Sequence, residues 1–346
     1  MKQYLEARFC ESLDAEWPIV IGSNVYSSSD VLKVYAPHDY EALFTEWVEL
    51  QKTDARQRVK EFLSDNGCLP RFNRLAERVN SNLVMPFVGA GLSKPSGFSL
   101  WGAFLKELSN EDPALVPEIE ALMEAGDFEG AAQRVADRFN ENVLAEQVEN
   151  YFDRRIFEVK GPVLLLPELF QQGCATTNFD IVLEKTYHDY GTDFTDDFAG
   201  EELKSAPRKA AAGANVLFKI HGHADNANGR VLTTAEYDAA YGTDGALPGL
   251  LANLVANRSL LFLGCSLGLD RTIQALRQIK ADAGVDLPRH YAFLQDPGPE
   301  GRADRRTELE RAEIHPIWYP IDDHTTDHDN RIEDLLIALI VGPIDE

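Results

Sequence analysis

Leu83-Val84-Met85-Pro86-Phe87-Val88-Gly89-Ala90-Gly91-Leu92-Ser93 is the stretch whose reading decides the fold. Residues 83–88 form a continuous apolar run of the length of one buried strand. Gly89-Ala90-Gly91 then supplies a tight turn, and helix-compatible sequence resumes near Ser99. A turn without side chains at a strand end lets the backbone approach a diphosphate, which makes a nucleotide its natural ligand. Three further clusters repeat the arrangement. Thr176-Thr177-Asn178-Phe179-Asp180, Lys219-Ile220-His221-Gly222 and Leu263-Gly264-Cys265-Ser266 each follow an apolar, strand-like run. Loops at the carboxyl ends of an open parallel sheet converge on one crevice, so the four clusters read as one site although they lie far apart in the chain. The later alternation of residues 259–263, a helix from Arg271, residues 290–294, a helix from Arg302 and residues 314–319 has the strand-helix rhythm of such a sheet.

The glycine turn departs from the dinucleotide fingerprint of dehydrogenases. Counted from Gly89, the third glycine of that pattern would stand where Lys94 is. The sequence that follows is helical and acidic through Arg138, with no second strand ending in a ribose-binding carboxylate. An ordinary nicotinamide dehydrogenase is disfavoured.

Gly-Ala-Gly-x-Ser, then Thr-x-Asn-x-Asp, then His-Gly after an apolar strand, then Gly-x-Ser after another, is the motif order of the sirtuin superfamily. Gly89-Ala90-Gly91-Leu92-Ser93-Lys94-Pro95-Ser96-Gly97 followed by Leu100-Trp101 resembles more closely the sirtuin-like NAD-consuming domains of prokaryotic antiphage defence systems, over roughly residues 80–320. The resemblance implies an α/β fold: a Rossmann-like parallel sheet of sirtuin type with a helical small lobe, here preceded by an N-terminal extension. It implies cleavage of NAD to nicotinamide and ADP-ribose, a reaction that leaves an oxocarbenium-like ribose to be oriented, shielded and captured. By similarity, Asn178 orients the water and the ribose hydroxyls, and His221 is the general base, a task suited to imidazole. Asp180 contacts the carboxamide. Gly89, Ala90, Gly91, Ser93, Thr177, Gly264, Ser266 and Asp270 complete the NAD site. The same resemblance implies an abortive-infection effector held in check by homo-oligomerisation or by a partner such as a DNA-translocating ATPase or an Argonaute-like protein.

Other readings of these residues stand beside that one. Asn178 and Asp180 also suit a turn and helix cap before a helical stretch at residues 181–187. His221 has His223 as a competitor, Gly264 and Ser266 suit a plain turn, and Asp270 suits the first turn of the helix that follows it. An NAD-dependent protein deacylase or ADP-ribosyltransferase would use the same pocket with a different nucleophile, and a non-catalytic NAD- or ADP-ribose-binding assembly module would keep the pocket alone. The deacylases usually carry a zinc module of two Cys-x-x-Cys pairs. Here Cys10, Cys68, Cys174 and Cys265 form no such pair, and no metal is expected. His324 and His328 are four apart, but their run, residues 322–329, reads as a solvated loop.

The chain has 346 residues, 44% of them hydrophobic, enough for one large core and a smaller one. With 57 acidic against 33 basic residues its formal net charge is −24, which repels phosphate backbones and argues against direct nucleic-acid binding. The mixed charges of residues 1–16 do not read as a secretory signal, and the apolar run 335–341 is too short to span a bilayer, so a cytoplasmic protein is expected. Residues 1–80 read as an accessory extension, with strands at 17–22 and 31–35 and a helix over 39–63. Residues 81–320 read as the catalytic domain, with 113–157 a helical insertion forming the small lobe. Residues 321–346 read as a loop and a final helix.

Overall fold

Short apolar runs become the strands of a parallel sheet because they are buried along their length, as strands covered on both faces are. The computed structural model describes every residue except 212, 269–270, 284–285, 322–326 and 346. A hairpin of β1 (Ile19–Ile21) and β2 (Asn24–Tyr26) stands apart from the main sheet. The sheet itself comprises β3 (Val84–Val88), β4 (Cys174–Thr176), β5 (Asp196–Ala199), β6 (Val216–Lys219), β7 (Ser259–Leu263), β8 (His290–Gln295) and β9 (Ile314–Tyr319). Its order is β5-β6-β4-β3-β7-β8-β9, all parallel. From β3 the chain fills one side of the sheet, then returns to β7 on the other side of β3. The topological switch point, where open α/β sheets bind ligands, therefore lies between β3 and β7.

Register places the four clusters on one level. Val88 is opposite Thr176 and Leu263, and Thr176 is opposite Lys219. Gly89, Thr177, Ile220 and Gly264 are thus the next residues of four neighbouring strands.

Helices Trp101–Ser109, Val116–Glu124, Phe128–Phe139 and Glu141–Phe152 form a small lobe after β3. Asp127 and Asn140 start two of these helices by accepting backbone N–H bonds, from Gly130 at 2.8 Å and from Asn142 and Val143 at 3.0 and 3.1 Å. An aromatic cluster of Trp101, Phe104 and Phe152 packs on Phe179 of the β4 turn, with Trp101 and Phe179 centroids 5.7 Å apart. The amino-terminal region is stitched to the rest by Pro37–Asp65, which lies along the last helix, Asp327–Val341. There Asp334 accepts two bonds from Arg58, at 2.6 and 2.9 Å. Leu5, Phe44 and Phe72 belong to the same buried cluster as the sheet.

Three elements differ from the sequence reading: segment 31–35, edge strand β5, and residues 327–329, which were expected in a loop but begin the last helix. The strand expected at 31–35 is instead part of helix Ser28–Tyr35. Ser27 caps it by accepting the Asp30 N–H at 3.2 Å, and the hairpin takes its second strand from residues 24–26. Edge strand β5 is unforeseen because its Asp196-Asp197-Phe198-Ala199 has no apolar run to betray it. Asp270 and His324 lie outside the described residues, whereas His328 sits in the last helix with its Nδ1 3.1 Å from the Tyr319 hydroxyl. Among the described residues no helix is long and apolar enough to cross a membrane.

Candidate functional site

The two glycine turns at the switch point interlock backbone to backbone. Gly89 donates its N–H to the Leu263 carbonyl at 2.8 Å, and Gly91 donates to the Gly264 carbonyl at 3.0 Å. A β-carbon on Gly89 would lie 2.6 Å from the Gly264 oxygen, and one on Gly264, whose φ is +66°, would lie 2.7 Å from the Leu92 nitrogen. Absence of side chains is thus required first by the opposing turn. The Gly89 and Gly91 amides are engaged within the protein.

Ser93 and the β4 turn meet behind these glycines. Thr176 donates its hydroxyl to the Val88 carbonyl at 2.8 Å and accepts the Asn178 N–H at 3.0 Å, fixing the turn against β3. Asn178 then donates from Nδ2 to the Ser93 hydroxyl at 3.0 Å, which leaves its carbonyl oxygen as the group able to accept from a ligand. Ser93, Asn178 and Asp180 are all buried. Asp180 accepts the Val182 N–H at 3.0 Å, the cap that the sequence also allows. Burial raises the Asp180 pKa, with Lys219, the Val182 amide and Ser93 opposing it, so its carboxyl holds a proton more readily than a free one. Fully buried Lys219 donates to the Asp180 carbonyl at 2.5 Å and to Glu184 at 2.9 Å.

His221 lies two residues past the end of β6, and Asn178 two residues past the end of the neighbouring β4. Its Nε2 is 3.1 Å from the Tyr241 hydroxyl, which is 2.7 Å from Thr272 Oγ1. The Tyr237 ring lies edge-on at 5.3 Å. Burial among these groups pushes the imidazole pKa down to about 3, so the ring is neutral at physiological pH. Helix Thr234–Tyr241, which carries both tyrosines, is tied to the small lobe: Arg271 bridges Glu129 at 2.5 Å and Asp238 at 2.6 Å, and Thr234 N–H donates to Gln133 at 3.1 Å. His223 points elsewhere, its Nε2 3.6 Å from Asp197. Glu184, Asp197 and His223 bring ligand atoms within 4.8 Å of one another beside a cavity of about 570 Å³ that is also lined by Asp153, Arg155 and Phe179.

Of the remaining sequence candidates, Ala90 and Thr177 are half-buried at the turn ends, and Ser266 is exposed beyond Gly264. The carbonyls of Ser266 and Leu267 accept bonds from Arg305 at 3.0 and 2.7 Å. Sequence reading missed Tyr237, Tyr241 and Arg230. Arg230 is 6% exposed, its Nε has no partner, and its guanidinium reaches only the Ala224 carbonyl at 3.5 Å. Burial lowers its pKa, with only Glu236 and Glu149 acting against that at a distance. The next residue, Val231, donates its N–H to the His221 carbonyl at 2.9 Å. An unpaired buried cation close to a candidate base is itself a signal, but one that only the fold reveals.

A parallel sheet with glycine turns at its switch point and polar groups converging there defines an open α/β protein with a ligand crevice at the carboxyl ends of its strands. Within that class, residues 172–317 match the family model of the SIR2-like domain. The chain is similar to the NAD(+) hydrolase ThsA of Cytobacillus dafuensis, 26% identical over 247 residues that cover 70% of this chain and 44% of the relative. It is also similar to the NAD(+) hydrolase ThsA of Acinetobacter baumannii (strain 532279), 22% identical over 226 residues that cover 64% of this chain and 44% of that one. The chain thus spans less than half the length of these curated relatives.

Proposed function

We propose that residues 81–320 hydrolyse NAD to nicotinamide and ADP-ribose, with Asn178 and His221 as the catalytic pair. The observation that carries this reading is the register: Asn178 and His221 extend from adjacent strands on one level, and Asn178 is bonded to Ser93 of the first glycine turn. Nicotinamide leaves as a neutral ring, and its ribose becomes an electron-poor oxocarbenium-like carbon. Asp180, buried at the β4 turn, contacts the carboxamide and orients the leaving group. The free carbonyl oxygen of Asn178 accepts a hydrogen from the attacking water, and neutral His221 takes the proton as the new C–O bond forms. A weak base suffices, because water bound to a cationic carbon is strongly acidic. Arg230 supplies positive charge for the diphosphate, which the engaged Gly89 and Gly91 amides do not.

Ala90, Thr177, Gly264 and Ser266 line the nucleotide, and Asp270 is assigned to the same site on the resemblance alone. On that resemblance too, the biological role is an antiphage effector working in the cytoplasm as an oligomer or with a partner. The −24 net charge favours a basic partner surface.

The test is to incubate the full chain with NAD and resolve the products by chromatography, beside His221→Ala and Asn178→Ala. Nicotinamide and ADP-ribose from the wild type, reduced at least about a hundredfold in each folded variant, is the expected result. Release that requires an acetyl-lysine peptide would make the deacylase reading the better one. NAD bound but never cleaved, alone or with proteins encoded beside it, would leave the binding module.

A further inference from the structure

Helix Leu69–Asn80 carries Arg71, Arg74 and Arg78, spaced three and four apart so that they stand side by side on one face. Arg289 precedes β8, whose second residue, Tyr291, is opposite His315 of β9. Ser259, the first residue of β7, ties these elements together: it accepts the Arg78 Nε–H at 2.7 Å and donates its hydroxyl to the Arg289 carbonyl at 2.5 Å. Arg78 is thereby oriented through Nε, which leaves the terminal nitrogens of its planar fork to a ligand. Arg71 donates to the Pro316 carbonyl, while Arg74 and Arg289 are exposed. Among the described residues none of the four guanidinium groups has an ion-pair partner. Glu313 is engaged by Lys280 at 2.6 Å and His315 at 3.3 Å, and Glu310 by His315 at 3.5 Å. Tyr291 completes the set. It is 2% exposed, yet its hydroxyl makes no hydrogen bond among the described residues. Burial raises its pKa, and Arg78, Arg289, Arg74 and Arg71 all act against that, so four positive charges lie around this one oxygen. Gathering like charges and burying a hydroxyl without a partner both cost stability, and a bound anion would offset both.

We propose that Arg71, Arg74, Arg78, Arg289 and Tyr291 form a second ligand site, for a small molecule bearing a di- or triphosphate, at the end of the sheet opposite the glycine turns. Its position follows from the strands. Ser259 and His290 are the first residues of β7 and β8, whereas Gly89 and Gly264 follow the last residues of β3 and β7, and the sheet is parallel throughout. Chemistry selects the ligand. A guanidinium fork matches two oxygens of one phosphoryl group, and four such groups exceed what a single carboxylate or phosphate can neutralise. Net charge selects its size: a long polyanion such as a nucleic acid would run from this patch onto the surface of a chain of net charge −24, which repels it, whereas a compact diphosphate stays among the arginines. Tyr291 at the floor donates its hydroxyl to a phosphoryl oxygen, Arg78 supplies the pre-oriented fork, and Arg74 and Arg289 close over the ligand from the rim.

The test is calorimetric titration of the full chain with sodium pyrophosphate at low salt. The wild type should bind it, and Arg74→Gln and Arg289→Gln, which alter exposed side chains, should keep the wild-type melting curve while each weakens binding about tenfold. Tyr291→Phe should weaken binding about fivefold without lowering the melting temperature, because the hydroxyl it removes has no partner in the free protein. Arg230→Gln, in the loop after β6, should retain the binding. Absence of binding at about 1 mM pyrophosphate overturns the proposal, as does an affinity unchanged in both Arg74→Gln and Arg289→Gln. Loss of binding in Arg230→Gln alone would assign the pyrophosphate to the other end of the sheet and overturn it too. A duplex oligonucleotide that binds more tightly than pyrophosphate, and is lost in the Arg74 and Arg289 variants, would overturn the small-ligand assignment.

Discussion

Gly264→Ala tests the interlocked turns directly. The φ of +66° at Gly264 costs an alanine about 1–2 kcal/mol, because its β-carbon crowds the following carbonyl. That β-carbon would also lie 2.7 Å from the Leu92 nitrogen and 3.1 Å from both the Gly89 oxygen and the Gly91 carbonyl carbon. All three neighbours are backbone of the opposing turn, so no side chain can swing away. Forced overpacking of this kind costs a further ~1–3 kcal/mol, for a total of about 2–5 kcal/mol. Gly268→Ala is the control on the same loop: its β-carbon would meet nothing within 4 Å and its φ is not in the left-handed region, so loss of chain entropy in the unfolded state should leave stability within about 1 kcal/mol of wild type. Urea unfolding of the three proteins measures both. Because Gly264 holds the Gly89 turn in place, NAD affinity by calorimetry should fall in Gly264→Ala under conditions where the protein remains folded. A Gly264→Ala protein within about 1 kcal/mol of wild type would refute the backbone-to-backbone packing and with it the steric requirement for glycine at positions 89 and 264.

Three further outcomes follow from the site and its surroundings. His290 is 1% exposed, its Nδ1 accepts the Leu260 N–H at 3.1 Å, and burial pushes its pKa down to about 4. The unfolded chain therefore binds this proton first as pH falls below ~6.5, and about 3 kcal/mol of stability should be lost between there and pH 4. Urea midpoints from pH 7.5 to 4.5 should show a shallower decline in His290→Gln than in the wild type. Tyr241→Phe removes the hydroxyl between His221 and Thr272, and the loss of one hydrogen bond to the base should lower kcat about tenfold with KM little changed; a KM effect alone would remove Tyr241 from the positioning of His221. The trio Glu184, Asp197 and His223 has the ligand types of a metal site, but the Lys219 ammonium 2.9 Å from Glu184 already supplies its positive charge. Elemental analysis should find less than about 0.1 metal per chain, and stoichiometric metal lost in His223→Ala would reverse that assignment.

Strand-end motifs were legible because buried parallel strands are short apolar runs and register is uniform across the sheet. Ser259–Leu263 and Ile314–Tyr319 were readable to the residue for that reason, and with the strands came the common level of the turns that carry Asn178 and His221. The groups that tune His221 were not legible. Tyr237 and Tyr241 are four apart on a helix, the spacing of any packing face, and nothing in their sequence separates a face that meets the core from one that meets an imidazole. Arg230 sits in a turn-rich stretch where a charged residue ordinarily points to water. Its burial comes from loop 221–231 closing on itself through the Val231 to His221 bond and from the close approach of Gly222, whose β-carbon would lie 2.9 Å from the Arg230 Cα. Residues 31–35 are decided in the same way: their apolar pattern fits strand and helix alike, and the choice falls to the Ser27 cap and to Asp14, which binds the serines around that helix start from another helix. Pattern therefore identifies the chemistry that strands present, while chemistry recruited from helices and loops is set by which segment the fold brings against them.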